Sequence, residues 1–287
     1  MKQYLSHLSI LAAGTCWGVL GLFSRHLLAA GLTPQDIVLV RNFGGLAAMT
    51  ALFLLVDREV FRIKARHLPW FFGTGVVSVL LFTLMYFSAH QYCSLAIGAV
   101  LLYTAPTFVV LMSAALWKEP ITKKKLAALA LAFLGCAAVS GIFSGGLTAT
   151  PRGLLLALGS GFFYATYSIF GRYALAHYKS LTVTYWTFVF AGVGALFITE
   201  PGAVAATVFS NGRLALLALG MVVISTVLPY ILYTRGLEKV ESGKASILAS
   251  VEPVVAALVG VIAFGEPMTA GAALGLGCIL ASVYILR

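Results

Sequence analysis

Ten stretches of mainly apolar residues divide this chain, at 7–29, 35–56, 68–90, 95–117, 124–143, 152–174, 181–199, 213–234, 244–264 and 270–286, each bounded by charged residues or by Pro and Gly. A bilayer core takes about 20 such residues per helix, so little of the 287-residue chain is left for a soluble domain. With 61% hydrophobic and 10% charged side chains, the polar residues are too few to cover a water-soluble globule. The first stretch is longer than the apolar segment of a signal peptide and is interrupted by Trp17 and several glycines, so it is expected to remain as a helix. The pattern predicts an all-α membrane protein with ten transmembrane helices.

Lysine and arginine set the expected orientation. With the amino-terminus placed in the cytoplasm, Arg25, Arg41, Arg152 and Arg213 fall outside and the other fifteen of the 19 basic residues fall inside. Basic residues accumulate in cytoplasmic loops, so both termini are expected to be cytoplasmic, in a cell membrane such as the bacterial cytoplasmic membrane. The net charge of +10 is then an orientation signal. No aromatic-basic platform for nucleic acid accompanies it, and the clusters "RIKAR" and "KEPITKKK" are expected to face anionic lipid headgroups. Cys16, Cys93, Cys136 and Cys278 lack metal-site or disulfide spacing and are expected to pack; no cofactor and no metal are expected.

Sliding the chain against itself by 147 residues aligns Gly14 with Gly161, Trp17 with Tyr164, Arg25 with Arg172, Tyr86 with Tyr233 and Pro106 with Pro253. The same offset aligns "EPIT" (Glu119 to Thr122) with "EPMT" (Glu266 to Thr269). This predicts two five-helix repeats, residues 1–143 and 150–287. Five is odd, so the second must cross the membrane inverted relative to the first. The basic residues agree: "KKK" follows the first "EPIT", "AGA" follows the second "EPMT", and Arg235, Lys239 and Lys244 stand where the first copy has none. Inverted repeats suit secondary transport, because exchanging the conformations of the halves moves the opening from one side to the other.

Three blocks carry a family resemblance: "GTCWGVLGLFSR", "PQDIVLVRNF", and the paired "LYTAPTFVVLMSAALWKEPIT" and "LASVEPVVAALVGVIAFGEPMT". The chain resembles the EamA family of the drug/metabolite transporter superfamily over essentially its whole length. The resemblance implies ten helices around a central cavity and export, in some members import, of amino acids, amines and other small metabolites. Small four-helix relatives carry an essential glutamate in their first helix. Here that helix reads "GTCWGVLG", so their drug/proton exchange cannot be carried over.

Glu252 is the leading site candidate. An acid at a helix centre costs about 2.5–3.5 kcal/mol on insertion scales, so it is expected to face protein or water and to bind a cationic group, carry a coupling proton, or brace its helix. Ala245, Ala249, Ala256 and Gly260 form a small-residue stripe beside it, and Pro253 frees the carbonyl of Ala249 for a substrate, a water or a neighbour. Trp17, Tyr164, Tyr86, Tyr233 and Tyr103 are candidate aromatic walls for an ammonium group or a ring; packing and interfacial belts are the competing roles. Arg41 lies about 10 Å in from a helix start capped by Thr33, Pro34 and Asp36. It either snorkels outward or grips a substrate carboxylate. Glu119-Pro120 and Glu266-Pro267 are expected to cap the helices that follow, and His90 and Gln91 to lie on the surface.

No HExxH, Ser-Lys or Ser-His arrangement, or aspartate cluster suggests an enzyme. A channel would build rings of like residues from separate subunits, whereas this chain carries its symmetry internally. The expected partners are a small-molecule substrate, the lipid bilayer and, as a candidate coupling ion, protons. The assembly expected is a monomer or weak dimer. The substrate expected is a small amino-bearing metabolite, with a quaternary or other organic cation as the alternative.

Overall fold

The computed structural model describes residues 2–142 and 148–286, without the side chains of Lys2 and Gln3. Arg287, counted above among the inner basic residues, and Phe143, at the end of the first repeat, lie outside the described residues. In chain order the main helices are α1 (Tyr4–Ala29), α2 (Pro34–Val56), α3 (Ala65–Ala89), α4 (Leu95–Trp117), α5 (Lys123–Val139), α6 (Pro151–Leu175), α7 (Ser180–Ala195), α8 (Gly212–Leu237), α9 (Ser242–Phe264) and α10 (Ala270–Ile285). Seven of them, all but α5, α7 and α10, are long and apolar enough to cross a membrane. The protein is therefore an all-α, multi-pass membrane protein. A short helix at Pro201–Val208, not anticipated from hydropathy, links α7 to α8.

Helix starts follow the local chemistry. At α2 the Thr33 side chain accepts from the Asp36 N–H and the Asp36 carboxylate accepts from the Thr33 N–H at 2.8 Å, with Pro34 in the first turn. Thr122 and Thr269 cap α5 and α10 by accepting from the N–H groups of Lys125 and Ala272. The expectation that Glu119 and Glu266 cap these helices is thereby corrected. The threonines satisfy the free N–H groups, and the glutamates are left to pair with arginines elsewhere.

The helices are less regular than their hydropathy suggests, and the irregularities recur at the 147-residue offset. α3 runs as a π-helix over Gly73–Leu80 and α8 over Val223–Val227. α4 breaks at Tyr103 and Thr104 before Ala105–Trp117, and α9 at Ser250 and Val251 before Glu252–Phe264. Pro106 and Pro253 each stand at the second position of the new segment, where the missing N–H has no helical partner to lose. Glu252, placed by hydropathy near the middle of one helix, therefore opens a second one. α1 alone breaks at Val19; α6 runs unbroken through the matching position.

The contacts recur in the same way. α1 packs on both segments of α9 and on the end of α8; α6 packs on both segments of α4 and on the end of α3. α2 packs on α7, and α5 on α10. Two glycines paired by the offset permit close crossings at these breaks. A Cβ on Gly14 would stand 2.8 Å from the carbonyl oxygen of Ala249, and one on Gly161 2.7 Å from that of Leu101. The Ala249 carbonyl expected to be free for a ligand thus abuts α1.

Loops that touch one another sort the ends of the bundle into two faces. Lys179 reaches Glu59 and Lys125 reaches Glu241 on the face of the chain's amino-terminus. Arg25 reaches Glu266, and the Thr150 N–H donates to the Tyr92 carbonyl, on the opposite face.

Candidate functional site

A cavity of about 300 Å³ lies between the helices, walled by α1, α2, α3, α4, α6, α8 and α9. Its wall includes the exposed Leu28 and Pro34 near the opposite face, and Trp17 and Tyr230, which it shares with a smaller gap beneath. Six of the seven candidate residues meet on its wall: Glu252, Arg41, Trp17, Tyr86, Tyr103 and Tyr164. Tyr233 does not. It lies beneath, in a gap of about 10 Å³ with Tyr167, Ser168 and Ser78.

The breaks in α4 and α9 produce this convergence. Tyr103 sits in one break and Glu252 directly after the other, so each is carried on a chain end inside the bundle rather than on a helix flank. Ala249 and Ala256, two members of the small-residue stripe, line the cavity beside Glu252. Ala245 is fully buried, and Gly260 is buried beside Glu266. Among the described residues no side chain forms an ion pair with Glu252 within 4 Å. Arg41 is the cationic residue on the same cavity wall.

Arg41 turns into the bundle, so the snorkelling alternative is not what the structure adopts. Its Nε donates to Thr226 Oγ1 at 3.4 Å, and Thr226 donates in turn to the Met221 carbonyl at 3.1 Å. That second bond spans five residues, because the π-turn of α8 shifts this carbonyl out of the ordinary helical ladder. Sequence reasoning missed Thr226: nothing in an apolar run announces a π-turn. Ser246, Ser250 and Thr83, which also line the cavity, were missed because isolated hydroxyls are common in membrane helices.

Below the cavity the rings close up. Trp17 meets Tyr230 edge-on at 5.3 Å and Tyr233 at 5.4 Å. The Tyr167 and Thr234 hydroxyls lie 2.6 Å apart, and those of Ser168 and Tyr233 2.8 Å. Tyr164 meets Phe82 at 5.1 Å. Trp186 lies elsewhere, its indole N–H donating to the Val60 carbonyl. His90 is a correction: it packs on Tyr86 at 4.4 Å, over Gly98, instead of facing solvent. The four cysteines are free; Cys93 and Cys136 are buried, and Cys16 and Cys278 are half-buried. No group of three or more metal-ligating side chains occurs among the described residues.

The EamA-like transporter family profile matches the chain twice, at residues 5–141 and 151–287. An uncharacterized transporter of Archaeoglobus fulgidus is 29% identical over 95% of this chain and 95% of its own, and a second from the same organism is 31% identical over 90% and 93%. The threonine/homoserine exporter RhtA of Escherichia coli (strain K12) is 28% identical over 82% of this chain and 77% of its own. A crystal structure covering 98% of this chain and 95% of its own has a TM-score of 0.81 at 21% identity, a likeness of fold. With apolar helices that span a bilayer, a cavity between them and two matches to one family, the chain is a membrane transporter rather than an enzyme and belongs to the EamA-like transporter family.

Proposed function

We propose that this protein exports a small amino-bearing metabolite, an amino acid or amine, by alternating access between two inverted five-helix halves, residues 1–143 and 150–287. Ten helices cross the membrane, α5, α7 and α10 being short spans. Both termini lie in the cytoplasm, the membrane is the bacterial cytoplasmic membrane, and the working unit is a monomer or weak dimer. The observation that carries the reading is Glu252, a carboxylate without an ion-pair partner among the described residues, on an aromatic-walled cavity with Arg41 on the same wall. A substrate ammonium group at Glu252 would replace the missing cation, the tyrosine and tryptophan faces would add cation–π attraction, and Arg41 would take the carboxylate of a zwitterion. Glu252 is also the residue proposed to carry a coupling proton.

Three further observations support this reading. The cavity lies at the small end of ligand pockets, which span about 300–1,000 Å³. The recurrence of the π-turns, breaks and contacts at one offset supports the duplication. The resemblance to a threonine/homoserine exporter favours an amino acid over other metabolites.

Counterflow of radiolabelled amino acids and amines in proteoliposomes tests the proposal. Glu252→Gln should fold normally and transport at least about tenfold less, the scale of a lost charge-assisted contact, or transport without pH dependence. Unchanged, pH-dependent transport rejects the role. The aromatic wall also suits a quaternary or other organic cation. Arg41→Ala separates the two readings: amino acid transport lost with amine transport kept assigns Arg41 to the carboxylate, whereas an organic-cation carrier is indifferent to the change.

A further inference from the structure

Two ion pairs at opposite ends of the bundle are built from the same three elements. On the amino-terminal face Arg172 of α6 donates to Glu119, just beyond α4, and its guanidinium carbon lies 4.3 Å above the Trp117 ring. On the opposite face Arg25 of α1 donates to Glu266, just beyond α9, at 2.5 Å and lies 4.5 Å above Phe264. All three members exchange under the 147-residue offset: Arg25 with Arg172, Phe264 with Trp117, and Glu266 with Glu119. The supporting backbone exchanges too. Lys118 and Gly265, between ring and glutamate, are both left-handed, with φ of 55° and 66°. That turn ends the helix and carries the carboxylate past it toward the arginine of the other half. Each pair therefore ties one half to the other.

The two ties differ in setting. The side chains of Glu119 and Arg172 are 6% and 34% exposed, and Lys125 lies 3.8 Å from the second oxygen of Glu119 while reaching Glu241 at 3.0 Å. The side chains of Arg25 and Glu266 are 52% and 47% exposed. The offset puts Ala272 where Lys125 stands and Ser94 where Glu241 stands, so the second tie has no such reinforcement. The less solvated tie lies on the amino-terminal face, beyond the aromatic floor, and the more solvated one on the opposite face, toward Leu28 and Pro34 of the cavity wall.

We infer that Arg172–Glu119 and Arg25–Glu266 are two alternating latches: the first, reinforced by Lys125 and Glu241, holds the amino-terminal face shut in this conformation, and the second takes over when the halves exchange. The inference rests on the reading of two inverted halves. A buried pair that loses one partner leaves a charge uncompensated and costs far more than a solvated pair does. The resting balance is therefore set by the amino-terminal latch and its lysine.

The test uses reporters at two positions related by the offset, Ser24→Cys on the cavity wall and Gly171→Cys beside Arg172, each in a background with the four native cysteines replaced. A Cβ at Gly171 meets only an ordinary contact at 3.9 Å, so a cysteine fits there. Reaction with a water-soluble maleimide is followed in detergent. Glu119→Gln should speed labelling at the Gly171→Cys reporter about tenfold and slow it at Ser24→Cys. Lys125→Met, which keeps both latches, should act in the same direction by about threefold. Glu266→Gln should act in the opposite direction, by about twofold.

Equal acceleration at both reporters, or no change at either, overturns the latches. Should Glu119→Gln elute as aggregate, Lys125→Met and the charge exchange Arg172→Glu with Glu119→Arg decide: restored wild-type labelling in the exchange supports the pair, and continued loosening overturns it. Counterflow on the same proteins separates the two readings. Unresponsive labelling with intact counterflow sinks the latches and leaves the carrier, whereas exchanging labelling without counterflow of any amino acid or amine leaves the latches and sinks the substrate assignment.

Discussion

The hydroxyls of Tyr167 and Thr234 lie 2.6 Å apart beneath the cavity, joining α6 to α8. Thr234 is fully buried. Tyr167→Phe would leave its hydroxyl unmatched and should destabilise the folded protein by about 1–3 kcal/mol. Adding Thr234→Val should recover most of that loss, since removing both partners of a buried bond is nearly neutral. Unfolding transitions of the two single variants and the double variant in detergent provide the cycle; simple addition of the two losses would show that the bond carries nothing.

Gly14→Ala and Gly161→Ala each put a methyl group within 2.8 Å of a backbone carbonyl at a helix break. Backbone cannot swing aside as a long side chain can, so each should cost about 1–3 kcal/mol. Gly21→Ala, with nothing within 4 Å of the added carbon, should be neutral or slightly stabilising as a better helix former. Thermal unfolding in detergent distinguishes the crossing positions from this control.

Hydropathy and the repeat made much of the architecture and most of the site legible, for different reasons. The apolar stretches mark helices because a bilayer penalises every exposed backbone group, and the seven longest appear with boundaries within a few residues of those read from sequence. Glu252, Arg41, Trp17, Tyr86, Tyr103 and Tyr164 were legible as a group because charged and amphipathic side chains within such stretches have few other places to go. Tyr233 lies beneath the cavity and not on its wall in this structure. The 147-residue offset pairs it with Tyr86, but an offset in sequence does not give the depth at which a side chain lies. The assignment of Glu119 and Glu266 to capping failed differently. Local spacing could not show that Thr122 and Thr269 already satisfy the helix starts, or that an arginine about fifty or about 240 residues away would be the partner.

Lys118 holds a left-handed conformation that glycine adopts without strain and that Gly265 holds at the matching turn. Lys118→Gly should therefore stabilise the protein, by up to about 1 kcal/mol once the added freedom of the unfolded chain is subtracted. Gly265→Lys should lose a similar amount. A stability difference in the same direction for both changes would show that these turns are not equivalent.

His90 lies just past the end of α3, its Nε2 buried and, among the described residues, without a hydrogen-bond partner. Burial lowers its pKa below the ordinary 6.5. The unfolded chain then binds the proton more readily, so this residue's contribution is present above about pH 6.5 and is lost as the pH falls through the unfolded value. His90→Gln cannot charge. The stability of the wild type relative to this variant should fall between about pH 7.5 and about pH 5.5, and a gap that stays constant or widens would place the ring in water.

Thr226 sets the direction of Arg41 from the π-turn of α8, and it offers a finer test of the proposed carboxylate site than removal of the arginine. Thr226→Val keeps shape and burial but deletes the oxygen that receives Nε. At 3.4 Å that bond is long, worth about 0.5–1 kcal/mol, so KM for a transported amino acid should rise about two- to fivefold with little change in maximal rate. Amines lacking a carboxylate should show no change, since they do not call on Arg41. A loss shared equally by amino acids and amines would mean that Thr226 only stabilises the π-turn, and that the orientation of Arg41 does not govern which substrates are accepted.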